Sequence, residues 1–149
     1  MKNTFSLKNI AACLFLLSVL SSVQAADTHE SKAVAPRTRV VFQISDDDAK
    51  KWNLILNNVK NVQQELGAGN VDIEVVAFGP GINMFKFESV VAEHVDEALN
   101  AGVSIVACQN TMKAFKLGKA DMMSTIGYVP AGVVEIIRKQ NEGYAYIRP

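Results

Sequence analysis

The chain has 149 residues, 49% of them apolar, and its 15 basic and 15 acidic side chains leave no formal net charge. That balance, with no long basic tract, argues against nucleic acid or an anionic lipid surface as a partner. Two cysteines exclude a disulfide-stapled fold, so burial or self-association must hold the core.

Residues 1–25 read as a secretory signal peptide. Lys2 and Lys8 make a positive start, and Ile10 to Leu20 is an apolar stretch too short to span a bilayer comfortably. Val23-Gln24-Ala25 carries the small residues a signal peptidase reads, which predicts cleavage after Ala25; an uncleaved anchor is the alternative. Cleavage removes Cys13 and both leader lysines, leaving a slightly acidic chain with Cys108 as its only cysteine. No other segment is long and apolar enough for a membrane helix, so no membrane attachment is expected after cleavage. A leader of this make-up suits a bacterial periplasmic protein.

Residues 26–38 are polar and aperiodic, and read as a flexible tail. Arg39 to Ile44 is a β-branched run and a predicted first strand. Ser45 or Asp46 is then expected to cap a long helix, with Asp47 and Asp48 in its first turn, where the helix dipole favours anions. Trp52, Ile55, Val59, Val62 and Leu66 form one apolar stripe on that helix, which Gly67 and Gly69 end. Val71 to Phe78 predicts a second strand, closed by Gly79-Pro80-Gly81. Ser89 to Ala101 predicts a second helix, ended by Gly102. Val103 to Cys108 reads as a buried parallel strand, followed by a short helix capped by Asn110 and ending near Gly118. Ile126 to Val129 suits a brief fourth strand, Pro130 to Gly143 a further helix, and Tyr144 to Ile147 a fifth strand. Strands alternating with helices at this spacing predict one α/β domain over residues 39–149. Its architecture would be a three-layer α/β/α sandwich, with a mostly parallel five-stranded sheet covered on both faces. Strand order is not readable from the pattern.

Cys108 is the leading chemical candidate. It stands where a strand hands over to a helix, at the sheet edge where ligands gather in open α/β folds. A thiol reacts as its thiolate, and a helix N-terminus or a nearby cation such as Lys113 would lower its pKa. The plain alternative is a buried, inert cysteine used as a small hydrophobe. His29 and His94 are the only histidines, and His94 neighbours Glu93, Asp96 and Glu97 on what reads as a solvated helix face, so no Cys–His pair is expected.

Phe78-Gly79-Pro80-Gly81-Ile82-Asn83 follows a strand, and its glycines could bring backbone amides close to an anion. It lacks the spacing of a dinucleotide fingerprint and the Lys-Ser/Thr of a phosphate loop, and a tight turn explains it equally well. Paired across a crevice with Gln109, Asn110 and Thr111, it would make a small-anion site. No His, Cys, Asp or Glu spacing suits zinc or calcium, and Met122-Met123, with Met84 and Met112, reads as core filling. No metal and no cofactor is expected.

With these residues assembled, the chain resembles the DsrE/DsrF-like family of small sulfur-handling α/β proteins over residues 39–149. The resemblance rests on Gly79-Pro80-Gly81, on Cys108-Gln109-Asn110-Thr111-Met112, on Val129-Pro130-Ala131-Gly132-Val133-Val134-Glu135 and on the closing Gly143 to Pro149. It implies a parallel five-stranded sheet, assembly into homotrimers or hexamers, and for some members a cysteine that carries sulfur as a persulfide. Three functions then stand open. The first is a periplasmic persulfide carrier or transferase acting through Cys108 with a sulfur-donor or acceptor protein. In it, Gln109, Asn110 and Thr111 supply hydrogen bonds and Lys113 a positive field. The second is a non-catalytic oligomeric module binding a small anion or a partner protein. The third is a redox thiol that forms an intermolecular disulfide.

Overall fold

A computed structural model of the protein describes residues 37–149; the expected leader and most of the expected tail lie outside the described residues. Strand β1 runs Thr38–Ile44, β2 Val71–Ala77, β3 Ser104–Cys108, β4 Gly127–Val129 and β5 Ala145–Ile147. Helices α1 (Ala49–Leu66), α2 (Ala92–Asn100), α3 (Gln109–Ala114) and α4 (Gly132–Asn141) connect them. The order across the sheet is β4-β3-β2-β1-β5, and every strand pairing is parallel.

Period-two alternation divides the strands between two cores. Val40, Phe42, Ile44, Ile73, Val75, Ile105 and Ala107 face the larger core, against Trp52, Ile55 and Val59 of α1, Val95 of α2 and Met112 of α3. Val41, Val76 and Val106 face the other way and meet Ile136 of α4. Both faces are therefore covered, but unequally. The successive crossovers from β1 to β4 keep their helices on one face, and only the long return to β5 carries a helix to the other.

Several boundaries moved for local reasons. Thr38 belongs to β1, not to the tail, and Arg37 before it bonds the Val71 carbonyl at 3.0 Å and pairs with Asp72 at 2.9 Å, holding the β1–β2 register. The cap of α1 is Asp48, not Ser45 or Asp46. Its carboxylate accepts the Lys50 amide at 2.8 Å, so the acidic run lies before the helix and not in its first turn. Asp46 serves the fold differently. Its carbonyl accepts the Trp52 indole N–H at 2.8 Å, and Lys51 and Arg148 hold its carboxyl below the usual range. Ser89 to Val91 makes turns rather than helix, and α2 begins at Ala92. Gly67 ends α1 at φ 83°, a left-handed conformation that glycine adopts without steric cost.

Candidate functional site

The carboxyl ends of β3 and β4 are neighbours, with Cys108 opposite Val129. From there the chain leaves on opposite faces, α3 toward the larger core through Met112 and α4 toward the smaller through Ile136. Adjacent strands whose connections diverge in this way open a crevice at the sheet edge. Cys108 stands in that crevice, one residue before α3 begins.

Its side chain is 5% exposed, and its surroundings are polar. Burial pushes the Cys108 thiol up. Hydrogen bonds from the Thr111 hydroxyl and from the amides of Gly132, Thr111 and Asn110 outweigh it and hold the thiol below its ordinary value. Each of these donors favours a sulfur that carries negative charge, which is how a desolvated thiol keeps thiolate character. Three of the four come from α3 and one from the start of α4, so the cradle exists only because the two connections part at this point.

Thr111 is the hinge of the arrangement. Its oxygen accepts the Gly79 amide at 3.0 Å, which ties the loop after β2 to the loop after β3. With that lone pair taken, the hydroxyl proton is left for the sulfur. Gly132 is held by space. A methyl group there would sit 3.0 Å from the Phe78 ring and 3.3 Å from the Cys108 Cβ. Any side chain would therefore wedge the α4 amide away from the sulfur.

The remaining expected residues divide clearly. Gly79 sits at φ 54° and contributes its amide, while Pro80 is exposed. Gly81 is packing: a Cβ would lie 2.7 Å from the Ile44 carbonyl. Gly79–Phe85 forms a 3-10 helix that buries Gly81, Ile82, Met84 and Phe85, so this segment plugs the core and is not an open anion cradle. Asn83 turns away and donates to Asp47 at 2.8 Å. Asn110 is not a side-chain cap; it lies inside α3, whose cap position is Cys108 itself, and its amide also lies 3.2 Å from the Pro130 carbonyl. Gln109 is exposed. Lys113 occupies the last turn of α3 and is exposed. His94 meets Asn53 of α1 at 3.2 Å. Among the described residues no three His, Cys, Asp or Glu side chains gather as a metal site.

Gly132 and the Pro130 carbonyl went unassigned in the sequence, although both lie in the string Val129 to Glu135. Only the pairing of β4 beside β3 brings that string to Cys108.

The fold and site define a small parallel α/β protein with a thiol held among amides at the divergence of two strands. The chain belongs to the DsrE/DsrF-like family, whose model matches residues 38–149. Among solved structures it is similar to the protein of unknown function MTH1491 from Methanobacterium thermoautotrophicum. That similarity is 39% identity and a TM-score of 0.72, over 75% of this chain and 99% of that one. BT1422 from Bacteroides thetaiotaomicron, also of unknown function, is similar in fold at 15% identity and a TM-score of 0.62, over 74% and 94% of the two chains. The ychN protein from E. coli shares the fold at 7% identity and a TM-score of 0.61, over 76% and 99%. No curated protein matches the chain.

Proposed function

We propose that this protein is a sulfur carrier, exported to the periplasm by its leader, in which Cys108 takes up sulfane sulfur as a persulfide and hands it to an acceptor thiol. The observation that carries this reading is the cradle: a buried thiol held low by the Thr111 hydroxyl and three backbone amides. Those donors can spread the charge of a terminal persulfide sulfur as readily as that of a thiolate. In loading from thiosulfate, the Cys108 thiolate attacks the outer sulfur, a new S–S bond forms, the old S–S bond breaks and sulfite leaves with the electron pair. Transfer onward reverses the polarity: an acceptor thiolate attacks the terminal sulfur and Cys108 leaves as thiolate, which its cradle stabilises. Family membership supports the reading, and so does the site's position at the crevice.

Intact mass spectrometry tests this directly. After incubation with polysulfide or thiosulfate, the protein should gain about 32 Da per sulfur atom, and Cys108→Ser should abolish the gain. A wild-type mass that never changes, under conditions where the denatured chain does react, would leave Cys108 as core and favour a binding module.

A further inference from the structure

The segment after Cys108 carries features that sulfur loading does not use. Gln109, Met112, Lys113, Leu117, Lys119 and Tyr128 line a hollow of about 360 Å³, which begins at the residue following the thiol. Its floor is apolar, with Met112 buried and Leu117 half-buried. Its rim is cationic. Lys119 is placed by the Tyr128 ring, its Nζ 4.9 Å from the ring centre, and Lys113 faces it from α3. Lys116 stands between them in the chain, next to Phe115, which is 46% exposed. From Gln109 to Ala120 there is no acidic residue, and the carboxylate that follows, Asp121, is taken by the Gly118 amide at 2.7 Å. Lys113 and Lys119 therefore share the hollow, with Lys116 between them in the chain and no acidic residue in that stretch.

We infer that this hollow is the docking surface for the acceptor protein, and that the docking segment is acidic with one apolar side chain. The inference rests on the carrier reading above and names its partner class. A small oxyanion fits the site poorly, because the amides of α3 that could hold one are turned to the Cys108 sulfur and the hollow's floor is apolar. An acidic segment fits on both counts. Its apolar side chain covers Met112 and Leu117, its carboxylates meet Lys113 and Lys119, and its thiol is brought beside Cys108. Like-charge partners are rejected by the same lysines.

The probe is a blocked synthetic peptide with four acidic residues around one leucine, and a serine where the acceptor would carry cysteine. Because it has no thiol, its binding is independent of sulfur chemistry. Added to the isotope-labelled mature protein, it should shift the amide NMR signals of residues 109–119 and of Tyr128. Its affinity should fall about tenfold between low and near-physiological salt, as expected for screened charge contacts. Lys113→Glu combined with Lys119→Glu should lose the acidic peptide and gain a basic one of the same design. Lys119→Glu alone should still load sulfur on Cys108, as read by intact mass. A second arm uses the cysteine version of the peptide and the persulfidated protein, and expects transfer to the acidic peptide at least about tenfold faster than to the basic one. Equal binding of acidic and basic peptides, or shifts elsewhere, would overturn the proposal. So would sedimentation with phosphatidylglycerol vesicles in the absence of peptide binding, or shifts that thiosulfate alone reproduces. If the serine peptide docks but no persulfide ever forms, the surface stands and the carrier reading falls.

Discussion

At Thr111 one hydroxyl serves two loops. Replacing it by valine keeps the side chain's shape but removes the acceptor of the Gly79 amide and the donor to the Cys108 sulfur. The thiol value should then rise, because burial remains while one opposing donor is lost. Read as alkylation rate against pH, the midpoint of Thr111→Val should lie above that of the wild type, and Thr111→Ser should restore it. Stability should also fall by about 1–2 kcal/mol in urea unfolding, the cost of a half-buried amide left without its acceptor. An unmoved midpoint with the same loss of stability would make Thr111 a loop tie and nothing more. Cys108 was legible in the sequence because an apolar run ended there and a helix followed. The groups that hold it were not, since Gly132 enters from a different crossover and Thr111 acts through Gly79, far away in the chain. Nearness in sequence placed Lys113 by the thiol, while the groups that hold the thiol low are the Thr111 hydroxyl and the amides of Gly132, Thr111 and Asn110.

Among the elements, α3 shows a local choice against sequence preference. Its end is a left-handed turn, with the Leu117 amide 2.8 Å from the Met112 carbonyl and the Lys116 amide 3.2 Å from that of Lys113. The residue that takes the left-handed conformation, at φ 56°, is Lys116, where glycine is the usual occupant. A side chain in that region costs about 1 kcal/mol, and glycine avoids it while making the unfolded chain looser. Lys116→Gly should therefore raise stability by about 0.5 kcal/mol, seen as a higher urea midpoint at an unchanged slope. A lower midpoint would mean that the aliphatic stem of Lys116 packs more than its exposure suggests. Strand and helix identities were readable because apolar spacing changes from two to three and four along the chain. The segment after β2 was not. Phe78 to Asn83 read as an anion-binding loop or a tight turn through its glycines, whereas close packing of Gly81 against Ile44 lets Ile82, Met84 and Phe85 plug the core.

Across the whole molecule, the face covered by α4 is the one that departs from an apolar core. Glu74 lies mid-strand in β2 at 4% exposure, and Glu135 of α4 is almost as buried. Lys139 bonds Glu74 at 2.9 Å, lies 4.0 Å from Glu135 and stacks 4.8 Å from the Tyr144 ring. Ser104 donates to Glu74 at 3.1 Å, and Arg138 pairs with Glu135 and Glu142. Burial pushes the Glu74 carboxyl up despite Lys139. The Arg138 guanidinium holds Glu135 low, against burial and with help from Glu74. The two carboxyls therefore oppose each other in pH dependence. Glu74 binds its proton more tightly folded than unfolded, so its contribution to stability is present in acid and lost as pH rises through its folded value. Glu135 contributes at neutral pH and loses that contribution as pH falls. Lys139 is the cation that faces both carboxyls beneath one helix. Lys139→Met should cost about 2–4 kcal/mol near pH 7, because a buried negative charge loses its cation. The same substitution raises the Glu74 value further, so Glu74 can neutralise itself by taking up a proton as the solution is acidified. The deficit should accordingly shrink by at least half near pH 5. Urea unfolding of wild type and Lys139→Met at the two pH values measures this, and a deficit that stays constant would show that Lys139 stabilises α4 through its stacking on Tyr144 and not through its charge.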